Sequence, residues 1–361
     1  ATAYTSGANI VVAGGNDPAH VVCTFTNELA TGTLIVKKHV INTNGGTKEA
    51  NDFNLHVKSG GVDVTNSPAA GSEDGISYTL LTGDYVVSED TPPAGYNNVL
   101  IDGDCDSSGN VTVVPGQIKT CTITNHNTPP VLTLNKIVIN DNGGTLAESA
   151  WTLTATGNQI NPFILSGPGA EGNADVVSDA TFMAGTYTLS ESTGLSGYSA
   201  SQWVCTGQGV QDGNQITLDV GQEATCTITN DDQPAKLILV KHLPNDNGGT
   251  ATQNDFPVTL NAVAAVWGEN VVNAGQYTAD ETEMTGYTAS VWSNGCSDVG
   301  VVTLAPGETK TCEITNDDVA GKLKIIKNTL GGDGTFNYTV TGPTPLTPSV
   351  TTSGGTGSTT E

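Results

Sequence analysis

Four times along this chain, the asparagine that closes one short motif is followed 11 residues later by a lysine. The pairs are Asn27 and Lys38, Asn125 and Lys136, Asn230 and Lys241, and Asn316 and Lys327. Each asparagine ends a copy of one motif: VVCTFTN, TCTITN, TCTITN and TCEITN. Each lysine lies in a copy of another: LIVKKHVINTNGGT, LTLNKIVINDNGGT, LILVKHLPNDNGGT and LKIIKNTLGGDGT. Between them a third motif recurs as YVVSEDTPPAGY, YTLSESTGLSGY and YTADETEMTGY. The whole repeat varies over 98, 105 and 86 residues while the junction stays constant. Loops inside a unit tolerate insertion, whereas a short connection between packed units does not. The chain therefore divides into the closing part of one repeat (1–29), three whole repeats (30–128, 129–233 and 234–319) and the opening part of another (320–361).

Thr and Val favour pleated strands, and the 44 Gly and many Asn favour the turns between them. There is no helical period of useful length, so the units read as all-β sandwiches in a linear head-to-tail array. Twelve basic residues against 37 acidic ones leave a formal net charge of -25. That balance argues against nucleic acid, which requires clustered cations. No apolar run reaches the roughly 18 residues that suggest a membrane span, so no membrane insertion is expected in this stretch. No segment reads as a signal peptide or sorting motif, and the chain begins and ends inside repeats.

The seven cysteines follow the same grammar. Cys23, Cys121, Cys226 and Cys312 each stand four residues before a closing asparagine, and Cys105, Cys205 and Cys296 precede them in the whole repeats. Separations of 16, 21 and 16 residues suit neighbouring strands and pair Cys105 with Cys121, Cys205 with Cys226, and Cys296 with Cys312. No spacing of zinc-site type is present, so no metal is assigned to them. Buried free thiols are the competing reading. Disulfides imply an oxidising, extracytoplasmic compartment, as for an extracellular protein.

Alternate residues of a strand share a face. Lys38 is in phase with Leu34 and Val36, Lys136 with Leu132 and Leu134, Lys241 with Leu237 and Leu239, and Lys327 with Leu323 and Ile325. Glu89, Glu191 and Glu281 are in phase with Tyr85, Tyr187 and Tyr277, and Asn125 with Cys121 and Ile123. Each whole repeat thus aims a lysine, a glutamate and an asparagine at its own core. Burial disfavours the charged form of both lysine and glutamate. A neutral amine is a nucleophile, and a protonated glutamate could polarise the asparagine carbonyl and carry the proton. The lysine could then attack the carboxamide, expel ammonia and leave an amide cross-link. A buried Lys–Glu ion pair, with asparagine serving nearby backbone, fits the same pattern without any bond.

The Y-x-x-x-E-…-G-Y motif, with lysine in the first strand and asparagine in the last, resembles the SpaA-like and collagen-adhesin B-type domains. These are prealbumin-like, isopeptide-forming domains of bacterial surface stalks and pilus shafts. The resemblance covers essentially the whole chain. It implies Ig-like, transthyretin-like seven-stranded sandwiches with a Lys–Asn isopeptide bond between first and last strands and a catalytic glutamate opposite. Carried over, the triads are Lys38, Glu89 and Asn125; Lys136, Glu191 and Asn230; and Lys241, Glu281 and Asn316. Asn27 and Lys327 would belong to the incomplete repeats. The third glutamate motif is one residue shorter before Gly286, a departure from the pattern.

No nucleophile–histidine–acid set and no phosphate loop points to an enzyme, beyond self-catalysed cross-linking. The partners expected are neighbouring repeats or identical subunits head to tail. The split end repeats fit either strand complementation between subunits or a plain cut through a longer repetitive chain, and their lack of a glutamate motif favours the cut. A ligand-binding adhesin region is the alternative function, with the insert at 158–177 as its one candidate loop. Oxygen ligands in the NTNGGT, NDNGGT and NDD segments suggest Ca2+ at the junctions; Asx turns account for the same residues. No other cofactor is indicated. Trp151, Trp203, Trp267 and Trp292 lack a shared spacing and are assigned to the core.

Overall fold

The computed structural model describes residues 29–158, 163–170, 176–193, 195–342 and 344–359. Cys23 and Asn27, with the closing strand expected around them, lie outside the described residues. Among those described, secondary structure is β-strand with short 3-10 turns. The chain forms two compact units, one containing residues 30–41 and 48–126 and the other residues 42–47 and 127 onward.

In the first unit the opening strand (Thr31–Ile41) lies between Ile76–Leu81 and the closing strand (Ile118–His126), which pairs in turn with Asn98–Gly103. A second sheet orders Val62–Asp63, Asn54–Ser59, the motif strand Gly83–Glu89, and Asn110–Val113. Opening and closing strands, the two ends of the domain in sequence, run parallel, with Lys38 opposite Ile123 and Val40 opposite Asn125. Every other residue of the opening strand from Gly32 to Lys38 is buried, the period of a strand with one face on a core. Leu34, Val36, Leu55, Val57, Val87 and Ile123 fill the space between the sheets.

The same plan recurs twice in the second unit. Val131–Ile139 pairs in parallel with Glu223–Asp232, and Ala235–His242 with Thr309–Asp318. The facing sheets are built on Thr152–Gly157 with Gly185–Glu191, and on Val258–Leu260 with Gly275–Glu281. Leu132, Leu153, Phe182 and Tyr187 anchor one core; Leu237, Leu239, Trp292 and Ile314 anchor the other. Trp151, Trp203 and Trp292 are buried. Beyond Val319 the strands are short: Ile326–Asn328 pairs with Thr356–Ser358, and Thr335–Asn337 with Ser349–Thr351.

Each closing strand is tied sideways by a disulfide. Cys105–Cys121, Cys205–Cys226 and Cys296–Cys312 are bonded, with Cα separations of 5.2, 4.0 and 5.1 Å. All three join the closing strand to the stretch of chain that precedes it in sequence, and all three closing-strand cysteines are fully buried in the cores.

The motif strand ends beside a doubly held imidazole. His56 Nδ1 lies 2.9 Å from Asp63 Oδ1, and its Nε2 lies 2.9 Å from Asp90 Oδ1. The hydrogen bond to Asp90 raises the imidazole pKa, with Asp63 adding to it against the opposing effect of burial. A raised folded-state pKa stabilises fully below the unfolded value of about 6.5, and that stability is lost as pH rises through the folded value. The melting temperature of the first domain is therefore expected to fall as pH is taken upward from about 6.5, and His56→Gln should flatten that dependence. In the second domain Leu153 is fully buried, and Leu153→Ala should cost about 3 kcal/mol in denaturant unfolding.

Candidate functional site

The site in each domain lies where the parallel terminal strands face the motif strand. A lysine is expensive in such a place unless it is paired. Lys38 is fully buried and Asn125 likewise. Lys38 Nζ lies 3.1 Å from Glu89 Oε2 and contacts Asn125 Oδ1. Asn125 Nδ2 donates to Glu89 Oε1 at 2.8 Å and to the Tyr96 carbonyl at 3.1 Å. One carboxylate therefore bridges the lysine amine and the amide nitrogen of asparagine. The sequence led us to expect the asparagine carbonyl to face the glutamate; here it faces the lysine, because the carboxylate already engages both nitrogens.

In the second domain Lys136 Nζ lies 2.8 Å from Glu191 Oε2. Asn230 is buried and its Oδ1 has no hydrogen-bond partner. In the third, Lys241 Nζ contacts Glu281 Oε2, and the buried Asn316 likewise has an unpartnered Oδ1. Lysine and glutamate thus meet in all three domains, while asparagine joins the hydrogen-bonded set only in the first. The shorter third motif still brings Glu281 to its lysine. Burial lowers the pKa of Lys38, Lys136 and Lys241, against the pull of the neighbouring glutamate. That shift favours the neutral, nucleophilic amine.

Each lysine has a lid that was not among the expected site residues. Lys38 Nζ sits 4.2 Å from the centre of the Phe53 ring, Lys136 Nζ 4.8 Å from Trp151, and Lys241 Nζ 4.1 Å from Phe256. These aromatics each stand 15 residues after their lysine, and that constant interval is the signal in the sequence. Lys327 repeats the contact with Phe336 at 4.6 Å, although its loop is shorter.

A glycine is seated against the lysine stem in two domains. A Cβ on Gly71 would come within 2.7 Å of Lys38 Cβ, and one on Gly169 within 2.7 Å of Lys136 Cβ. Gly71 N donates to the Phe53 carbonyl at 2.7 Å, and Gly169 N to the Trp151 carbonyl at 2.9 Å. In the third domain the indole N–H of Trp267 makes the equivalent bond to the Phe256 carbonyl at 2.8 Å, and its ring lies 5.2 Å from Lys241 Nζ. A side-chain donor thus replaces a backbone one, and the lysine gains a second aromatic wall.

The tyrosine that ends the glutamate motif pins the NxNGG loop. Tyr198 Oη donates to Asn140 Oδ1 at 2.5 Å and accepts from Leu146 N at 3.2 Å. Tyr287 Oη donates to Asn245 Oδ1 at 2.7 Å and accepts from Ala251 N at 2.9 Å. Tyr96 Oη accepts from Lys48 N at 3.1 Å. The second glycine of the loop makes room for the phenol: a Cβ on Gly144 would lie 2.2 Å from Tyr198 Oη.

The oxygen ligands suspected of holding calcium form two clusters, Asp141 with Asp231 and Asp232, and Asp246 with Asp317 and Asp318. Within them Asp232 and Asp318 already accept hydrogen bonds from backbone N–H groups of the loop, at 2.9 Å from Asn142 and 3.0 Å from Asn247. Burial works to raise the pKa of both acids, and these bonds hold it below the ordinary carboxylate value. Residues 159–162 and 171–175 of the candidate adhesive insert lie outside the described residues.

No curated protein of similar sequence is found. Solved structures that align with the chain include the TIE protein of Bacillus anthracis, 16% identical over 80% of this chain, with a TM-score of 0.44. The chain spans about half the length of that protein, 51%. The major pilin BcpA of Bacillus cereus is 11% identical over 80% of this chain and all of its own, with a TM-score of 0.29. Two B repeat units of the collagen-binding protein of Staphylococcus aureus are 14% identical over 82% of this chain and 76% of theirs, at 0.21. The model of the prealbumin-like fold domain matches three times in succession, at residues 30–123, 127–228 and 232–314. With most of its length accounted for by those matches, this chain belongs to the family of prealbumin-like fold domains.

Proposed function

We propose that the chain is a structural segment of an extracellular, cell-surface filament, a pilus-like shaft or an adhesin stalk, whose domains each close with a Lys–Asn isopeptide bond. The observation that carries this is that, three times over, a lysine whose side chain is fully buried meets a largely buried glutamate beside a buried asparagine, where the terminal strands face the motif strand. Neighbouring repeats or identical subunits, joined head to tail, are the partners that fit such a segment.

The chemistry balances within each domain. The buried ammonium passes a proton to the glutamate, and the neutral amine attacks Cγ of the asparagine. A C–N bond forms from Nζ, the bond from Cγ to Nδ2 breaks, and the glutamate carries protons from Nζ to Nδ2, which leaves as ammonia. In the first domain the groups are already in contact, which removes much of the entropic part of the barrier. The dry, aromatic-lidded site keeps the amine from being solvated as a cation. Each domain acts once on itself, so this is maturation and not turnover.

The mechanical benefit follows from topology. The opening and closing strands are parallel neighbours, so tension applied at the domain ends shears their ladder lengthwise. A bond between Lys38 and Asn125, 87 residues apart, would carry that load covalently and leave the sandwich unstretched. By the chain-entropy account of cross-links it would add about 4–5 kcal/mol to the domain.

Intact mass after full reduction should fall short of the sequence mass by one ammonia per whole domain. Peptide maps should show Lys38 joined to Asn125, Lys136 to Asn230 and Lys241 to Asn316. A full mass with separate peptides sinks the cross-link. Glu89→Ala should restore one ammonia and leave the other two bonds formed, and Asn125→Ala should lower the first domain's unfolding free energy by about 4 kcal/mol.

A further inference from the structure

Within the second unit, the second and third domains meet through two turns of the third. The Asn142 carbonyl, in the NDNGG loop, accepts from Ala274 N at 2.7 Å. Gln233 N donates to the Gly197 carbonyl at 2.8 Å, and Gly307 N donates to the Gln233 carbonyl at 2.8 Å. The fit is close: a Cβ on Gly143 would lie 2.4 Å from the Ala274 carbonyl, and one on Gly197 would lie 2.2 Å from that of Pro306. Loop 42–47, which belongs to this unit, repeats the first bond, its Asn44 carbonyl accepting from Ala184 N at 2.8 Å.

The receiving surface is held by its own domain. The carboxylate of Asp232 holds Asn142 N at 2.9 Å and Gly144 N at 2.5 Å, so the Asn142 carbonyl points outward in a fixed direction. The turn that enters is equally fixed, because Tyr277 Oη donates back to the Asn273 carbonyl at 2.9 Å.

The third domain carries the same surface. Asp318 holds Asn247 N at 3.0 Å and Gly249 N at 2.6 Å. The difference lies in exposure. Leu195, Gly197, Asp231 and Gln233 are half-buried, whereas their counterparts Met284, Gly286, Asp317 and Val319 are exposed. A Cβ on Gly286 would meet nothing within 4 Å. An open cavity of about 520 Å³, lined by Asn247, Gly249, Met284, Gly286, Tyr287 and Val319, stands there.

We propose that this face of the third domain is a socket for the paired turns of a further prealbumin-like domain, the turn before its motif tyrosine and the turn before its closing strand. The occupant follows from the second domain, where the equivalent face holds those two turns of the third. Specificity comes from one outward carbonyl, one backbone bridge and two glycines that admit close approach. The socket rests on packing and stands whether or not the lysine–asparagine bonds form.

The test is the full chain with its third domain doubled, residues 1–319 followed by 234–361, which preserves the 11-residue interval at the new joint. The added copy carries Gln276→Glu so that its peptide can be told apart in hydrogen exchange. Its Ala274 amide should be protected as strongly as that of the original copy. Gly286→Asn at the new joint keeps the positive φ of +90° within reach of the side chain but obstructs the socket. It should speed exchange of the added Ala274 amide at least tenfold, leave the original Ala274 amide unchanged, and leave the undoubled chain folded. Free exchange of the added amide without the substitution, or equal protection with and without it, overturns the proposal.

Discussion

The parallel pairing of each domain's first and last strands is the constraint on which the rest depends. Parallel neighbours cannot be joined by a tight turn, so everything between them in sequence has to wrap around and return. That return forms the second sheet and brings the motif strand across from the pair. A lysine placed inward on the first strand is then enclosed by the last strand, the motif glutamate and an aromatic ring. Neither strand alone could bury it.

The three domains show how much variation this arrangement absorbs. The first joins lysine, glutamate and asparagine in one hydrogen-bonded set, while the second and third leave the asparagine carbonyl oxygen without a partner. The third replaces a backbone donor with an indole and still brings its lysine to its glutamate. What persists is the low-dielectric pocket, set by strand register and by the aromatic lid. The precise hydrogen bonds inside it vary with loops that differ in length.

The junctions obey a different physics. At two of them a carboxylate, Asp232 or Asp318, gathers backbone N–H groups of a glycine-rich loop and so fixes one carbonyl outward, and at the other Asn127 Oδ1 accepts from Thr43 N at 2.8 Å. A charged hydrogen-bond acceptor on several backbone donors is strong and directional, and it makes the loop part of the domain instead of a tether. Asp232 and Asp318 admitted two readings in the sequence, calcium ligands or Asx turns, because oxygen-rich loops look alike whether they hold a cation or their own backbone.

Strand periodicity alone determined that lysine, glutamate and asparagine would turn inward, since a residue's face follows from its parity with apolar neighbours. The intervals between cysteines likewise indicated which pairs could be bonded, because two adjoining strands bring such residues within reach. Parity says nothing about which strands are neighbours. That the first and last strands lie side by side and parallel, that Phe53, Trp151 and Phe256 close over the lysines, and that the asparagine amide in the first domain presents its nitrogen to the glutamate were decided by tertiary structure. Each depends on contacts between segments tens of residues apart, and such contacts are settled by packing the whole sandwich and not by any local stretch of chain.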